Sequence, residues 1–186
     1  MRFIEYLRSM IRISDDLRLQ LQKITTNRTV SKGQYLLRSG ADCTDIYFVE
    51  SGLLRGFYFN DDKEITNWLA LDGEFATSFY SFIARVPSLE SIEVLETSEL
   101  VQISFASLQR LYTDFPETER IGRMLTENYY IRLEGRLLSM QFTTAKERYQ
   151  QLLANNPLLL QRAQLGHIAS YLGITQETLS RIRAQY

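Results

Sequence analysis

Between Thr29 and Ser104 turn residues interrupt the chain roughly every 8 to 12 positions, which restricts this stretch to short strands rather than helices of ordinary length. Lys32-Gly33 and Ser39-Gly40 bracket Tyr35-Leu36-Leu37-Arg38, and Ile46 to Val49 runs into Ser51-Gly52. Leu53 to Phe59 runs into the polar turn Asn60-Asp61-Asp62-Lys63, and Ile65 to Leu71, with the sole tryptophan Trp68, ends at Asp72-Gly73. Further strands are predicted at Ser91 to Leu95 and at Leu100 to Ser104. Many short strands joined by tight turns bury their apolar faces in a sandwich or barrel. Residues 73–85 are aromatic without alternation, which fits a short helix or an ordered loop inside the β unit.

Helical patterns flank this unit. Residues 3–27 read as one or two short helices, with Ser14 as N-cap, Asp15 and Asp16 in the first turn, and Leu17, Leu21 and Ile24 at helical spacing. After Ser104, another N-cap candidate, a helix is predicted over 105–112 and is broken at Asp114-Phe115-Pro116. A far longer pattern spans 117–142, roughly 25 residues or about 37 Å of helix. Met124, Asn128, Ile131, Gly135, Leu138 and Phe142 make one stripe, and Leu125, Tyr129, Leu133 and Leu137 make a second. Two stripes can both be buried within one monomer, or one can pair with a twin helix in a symmetric dimer. Thr143 or Thr144 caps a further helix from Ala145 to about Leu153, closed by Asn155-Asn156-Pro157.

What the chain lacks narrows the chemistry. Cys43 is the sole cysteine, so an internal disulfide and any multi-thiolate cluster are excluded. His167 is the sole histidine, which excludes multi-histidine metal sites and leaves no ligand set for an enzyme of cupin type in the β unit. No apolar run approaches the length of a membrane span, and Glu5 and Arg8 interrupt the N-terminal MRFIEYLRSM, unlike a secretory signal. A cytoplasmic protein with no membrane partner is the expectation. The net charge of −1 divides unevenly. In residues 145–186, Lys146, Arg148, Arg162, Arg181 and Arg183 outnumber Glu147 and Glu177 by three, which leaves −4 on the preceding stretch. A basic tail on an acidic body fits a tail that approaches phosphates.

The tail itself reads QLGHIASYLGITQETLSRIRAQY. Gly173 supplies the turn between two helices, and Ala169, four positions earlier, is small enough to let them cross closely. Ile168, Leu172, Ile174, Leu179 and Ile182 are the apolar positions that must face inward. Thr175 stands where the second helix needs an N-cap. Its outward face then carries Gln176, Glu177, Ser180, Arg181 and, further on, Ala184. Glutamine can bond adenine, glutamate can accept from the cytosine amino group, and arginine can grip guanine. Thr175, Ser180, Arg183 and Arg162 suit backbone phosphates. The competing reading is an amphipathic helical hairpin with a solvated face; His167 reads as a surface or half-buried residue.

Taken with the segment KGQYLLRSGADCTDIYFVESGLLRGFYF and the placement of the 117–142 helix, the tail IASYLGITQETLSRIR resembles the Crp/Fnr superfamily of bacterial transcription regulators, in particular its short Crp-like members, over nearly the whole length. The resemblance implies an α+β fold: an antiparallel, jelly-roll-like β-roll with flanking helices over 1–116, a dimerisation helix over 117–142, and a helix-turn-helix DNA-binding domain over 143–186. It implies double-stranded DNA as partner, a homodimer through the 117–142 helix, RNA polymerase as a further partner, a small-molecule effector in the roll, and no enzyme activity. Base contacts would fall to Gln176, Glu177 and Arg181.

The chain departs from the family in its effector segment. Cyclic-AMP-binding members close their phosphate cassette with an arginine before Ser/Thr-Ala, whereas this chain reads Pro87-Ser88-Leu89-Glu90-Ser91-Ile92. A glutamate there repels phosphate. The resemblance makes Gly73, Glu74, Phe75, Arg85 and Ser91 the candidate effector residues, with Arg85 as the cation that could substitute, and tight cyclic AMP binding is not expected. Trp68, Phe75, Phe79, Tyr80 and Phe82 can line a pocket or simply fill the roll core. With one cysteine and one histidine, neither an iron–sulfur cluster nor haem is expected as cofactor. No wing hairpin is evident between Leu153 and Gln164, so wing contacts to DNA are not expected within this sequence. The rival reading from another class is a small-molecule-binding module whose helical tail makes protein contacts.

Overall fold

The computed structural model describes residues 2–61 and 63–185; Met1, Asp62 of the anticipated polar turn, and Tyr186 at the end of the anticipated tail domain lie outside the described residues. Two helices open the chain, α1 (Arg2–Met10) and α2 (Asp15–Ile24). The Glu50 carboxylate accepts from the backbone N–H of Arg2 at 2.8 Å and of Phe3 at 3.0 Å, so a residue from the roll caps α1. Ser14 caps α2 by accepting from the Leu17 N–H at 3.1 Å. The expected helix to residue 27 ends early. Thr25–Val30 is strand β1, where β-branched threonines suit a pleated edge better than a last helical turn.

The roll follows with β2 (Tyr35–Leu37), β3 (Asp45–Ser51), β4 (Leu54–Asn60), β5 (Lys63–Ala70), β6 (Phe75–Ala76), helix α3 (Phe79–Ala84), β7 (Glu90–Val94) and β8 (Ser98–Ser104). These strands form two antiparallel four-stranded sheets, ordered β1-β8-β3-β6 and β2-β7-β4-β5. In β3 the alternate residues serve different cores. Ile46 and Phe48 join Phe3, Leu7, Leu17 and Leu21 of α1 and α2 beneath one face. Tyr47 and Val49 join Val30, Leu54, Val94 and Leu100 between the sheets. A strand buried on both faces has no polar side to show, which is why its sequence is a continuous apolar run. At Gly56 of β4 the Trp68 indole of β5 lies so close that any Cβ would collide with it.

Helices return with α4 (Phe105–Asp114), capped by Ser104, and α5 (Glu117–Phe142). Next come α6 (Ala145–Asn155), α7 (Pro157–Arg162), α8 (Leu165–Leu172) and α9 (Gln176–Arg183). Thr144 and Glu147 close a reciprocal capping box at the start of α6. Helix α7 was not anticipated. Asn155-Asn156-Pro157 does end α6, but Pro157 then occupies a first-turn position, where its missing N–H costs nothing, and a new helix begins.

The third core cluster ties the tail to the roll. Leu53, Leu69, Leu71 and Leu95 pack with Tyr149, Leu152, Leu159, Ile168, Leu179 and Ile182. Strand β5 lies at a sheet edge, and α8 covers it: the Ser170 hydroxyl accepts from the Thr66 N–H at 2.8 Å and donates to the Glu64 carbonyl at 3.1 Å. An edge that would otherwise present unpaired backbone groups is thereby occupied by the helical tail.

Candidate nucleic-acid interface

Helices α8 and α9 meet at Gly173, whose φ of +66° puts it in the left-handed region. Its N–H caps α8, and the Ile174 N–H donates to the Ala169 carbonyl at 3.0 Å. A side chain here would be strained by backbone conformation and would also run into the methyl of Met140, near the end of α5. Ile168, Ala169, Leu172, Leu179 and Ile182 are buried, as the spacing of the tail requires, while Ile174 is half-buried against the same cluster.

The opposite face of α9 is free. Thr175, Gln176, Glu177, Ser180, Arg181, Arg183 and Ala184 are exposed. Thr175 caps the helix by accepting from the Thr178 N–H at 3.2 Å. Arg181 donates to the Thr178 hydroxyl at 3.2 Å, which holds the guanidinium along the helix surface. Hydrogen bonds from its own backbone N–H and from Thr175 keep the Glu177 carboxyl below its ordinary value. The Gln176 amide lies over Gly166 of α8, where a Cβ would stand 2.5 Å from its nitrogen. This face thus offers amide, carboxylate, hydroxyl and guanidinium groups on one exposed helix, with the helix N-terminus beside them.

Arg162 is a correction. Expected as a phosphate contact, it is held by the roll instead, with bonds to Glu96 at 2.6 and 3.0 Å and to Asp72 at 3.1 and 3.3 Å. The Glu96 hydrogen bonds in particular hold its guanidinium above the ordinary arginine value. Burial alone would raise Asp72, but hydrogen bonds from Arg162 and the Gly52 N–H, with the charges of Arg162 and Arg2, bring it below its ordinary value. Nothing local in the sequence marks this cluster, because its members lie 66 and 90 positions from Arg162.

Helix α5 runs from the roll to the turn at Gly173. One side of its first half is covered, with Thr118 and Ile121 buried and Leu125 and Tyr129 half-buried. Past Tyr129 both apolar stripes are open: Ile131 is 64% exposed, Leu137 57% and Phe142 77%. Arg136 reaches back from α5, donating from Nη2 to the Thr66 carbonyl of β5 at 3.1 Å and to the Tyr171 carbonyl of α8 at 3.2 Å. Its guanidinium lies 4.7 Å from the centre of the Tyr171 ring.

Between α5 and the roll is a cavity of about 430 Å³. Gly73, Glu74 and Phe75 line it, with Trp68 and Phe79, so part of the expected effector site is brought together. The Glu74 carboxylate accepts from the Leu71 N–H at 2.9 Å and from Arg132 of α5 at 3.0 Å. Arg85 and Ser91 stand elsewhere. Arg85 sits at the end of α3 with a left-handed φ of +57°, donates to the Cys43 carbonyl at 2.8 Å and stacks on Phe105, so it cannot replace the missing cassette arginine. Ser91 is buried, its hydroxyl accepting from the Ser39 N–H at 3.0 Å. Of the remaining aromatic residues, Phe82 is core and Tyr80 is exposed. Glu90 is buried and accepts from Trp68 Nε1 at 3.0 Å and Asn67 at 3.2 Å; burial pushes its carboxyl up against those bonds.

Residues 27–115 match the family model for the cyclic nucleotide-binding domain. Electron transport regulator A of Shewanella oneidensis is 24% identical over 88% of this chain and 69% of its own length. The transcriptional activator protein Anr of Pseudomonas protegens is 25% identical over 88% of this chain and 71% of its own. Among solved structures, FixK2 from Bradyrhizobium japonicum superposes with a TM-score of 0.73 at 18% identity, over 87% of this chain and 84% of its own. Among the described residues no helix is long and apolar enough to cross a membrane.

Proposed function

We propose that the chain is a transcription regulator of the Crp/Fnr family that binds specific duplex DNA as a homodimer, with α9 as the recognition helix. The observation that carries this reading is the division of α9: its apolar residues are buried, while Gln176, Glu177, Ser180 and Arg181 are exposed together. Arg181 is assigned to guanine, Gln176 to adenine and Glu177 to cytosine, with Thr175, Ser180, Arg183 and the helix N-terminus on phosphates. The open stripes of α5 supply the dimer contact. A two-fold axis along that helix would set two copies of α9 about 34 Å apart, one turn of DNA, on an inverted repeat.

The roll acts as the sensing unit in this reading. Helix α5 borders the cavity and also touches the turn through Met140 against Gly173 and Arg136 against Tyr171, so an occupant of the cavity can bias the recognition helices. Cyclic AMP is not the expected occupant: residues 87–91 carry no arginine, and Arg85 is turned toward Cys43.

The direct test is the affinity of the purified protein for duplex DNA between about 50 and 200 mM salt. The logarithm of the binding constant should fall linearly with the logarithm of salt concentration. Absence of binding to any duplex at low salt would remove DNA as the partner.

A further inference from the structure

We propose that the cavity between the roll and the middle of α5 takes a small organic monocarboxylate, anchored by the guanidinium of Arg136. The inference rests on the reading of this cavity as the effector site and adds the chemistry of its occupant. Arg136 is one of the cavity walls. Its Nη1 is enclosed and has no hydrogen-bond partner, while Nη2 is used by two carbonyls. Burial pulls the group below the usual arginine value, with the Tyr171 and Tyr58 hydroxyls opposing. Among the described residues no carboxylate pairs with it, whereas Arg132 on the same helix is neutralised by Glu74. A desolvated cation without a counter-ion is costly, and an anion in the cavity offsets that cost.

The other walls define the rest of the ligand. Trp68, Phe75, Phe79 and Tyr129 surround the space with aromatic surface, which suits an apolar or aromatic body. Its volume of about 430 Å³ lies at the small end of ligand pockets. Glu74 and Arg132 pair on the same wall, which among the described residues leaves Arg136 as the one uncompensated charge of the lining and matches a single negative charge on the ligand. The ligand is therefore a monoanion with a compact apolar group. Because Nη2 already bonds the last turn of α8, a carboxylate that draws on the same guanidinium acts on the helix-turn-helix through one side chain.

Trp68, the sole tryptophan, lines the cavity and reports directly on it. Purified full-length protein is titrated with phenylacetate, 3-phenylpropionate and hexanoate, with phenylacetamide as the uncharged match and cyclic AMP as the nucleotide arm. At least one carboxylate should change Trp68 emission saturably below about 10 mM, with the amide at least about tenfold weaker. Arg136→Gln should abolish the carboxylate preference, and Arg136→Lys should restore part of it. Equal binding of acid and amide by the unaltered protein overturns the proposal whether or not the variants fold. So does an Arg136→Gln protein that keeps the preference, silence from all three acids, or cyclic AMP binding more tightly than any acid. The titration needs no DNA, so a chain that discriminates acid from amide yet ignores duplex DNA would sink the regulator reading and leave this one standing.

Discussion

Arg181 and Arg183 lie two positions apart on α9 and are assigned different work. If Arg181 reads a base, Arg181→Ala should cost on the order of 1–3 kcal/mol of discrimination at one base pair. If Arg183 meets phosphate, Arg183→Ala should weaken binding to all sequences alike and reduce the salt slope by about one. Competition binding with single-base variants of a site distinguishes the two; identical profiles from both variants and the parent would remove this face from recognition. These residues were legible in the sequence because everything that exposes them is local: the Gly173 turn, the Thr175 cap and the inward apolar positions lie within one short stretch. Arg162 was not. Its carboxylate partners sit across the fold on the roll, and a basic residue in a basic tail gives no sign of being claimed by them. Arg85 was misplaced for a related reason, since its direction is set by the left-handed backbone at the end of α3.

At the scale of elements, α5 is where sequence and structure agree most closely, because a 26-residue helix with two apolar stripes has few alternatives. The choice between burial in one monomer and pairing with a twin was left open by the spacing; the exposure of Ile131, Leu133, Leu137 and Leu138 favours the twin. Leu137→Asp should leave helix content unchanged, since the side chain is open in the monomer, and should halve the mass measured by sedimentation. A parent protein that sediments as a monomer at tens of micromolar would count against the dimer. Gly173→Ala tests the turn. Its positive φ and the neighbouring Met140 methyl should make the substitution cost about 1–3 kcal/mol in denaturant unfolding. Helix α7 escaped the sequence reading because a proline after two asparagines signals an end and a beginning equally well, and six residues are too few to show a period.

Across the whole molecule, the helical tail and the roll share one core cluster and are joined at β5, Arg136 and Arg162. Leu53→Ala, in the roll, should cost about 2–5 kcal/mol and should also speed amide exchange in α8, where Ile168 packs in the same cluster. Protection of α8 that ignores this change would show the tail to be independent. Proton linkage has a defined sign at the same junction. Burial, then the charge of Arg55, hold His167 below its ordinary value of 6.5, with Glu64 opposing. Its contribution to stability is therefore complete above pH 6.5 and is lost as pH falls through the lower folded value. Urea midpoints of the parent should drop on acidification through that window more than those of His167→Gln. Such long-range contacts were invisible in a sequence read segment by segment, which gave the units but not their seams. The most direct measurement of the central claim is selection of bound duplexes from a random pool by the purified protein. The enriched sequence should be an inverted repeat with half-site centres about 10 base pairs apart. Recovery of an unenriched pool, or of a single half-site with no symmetry, would contradict a dimer reading DNA through two copies of α9.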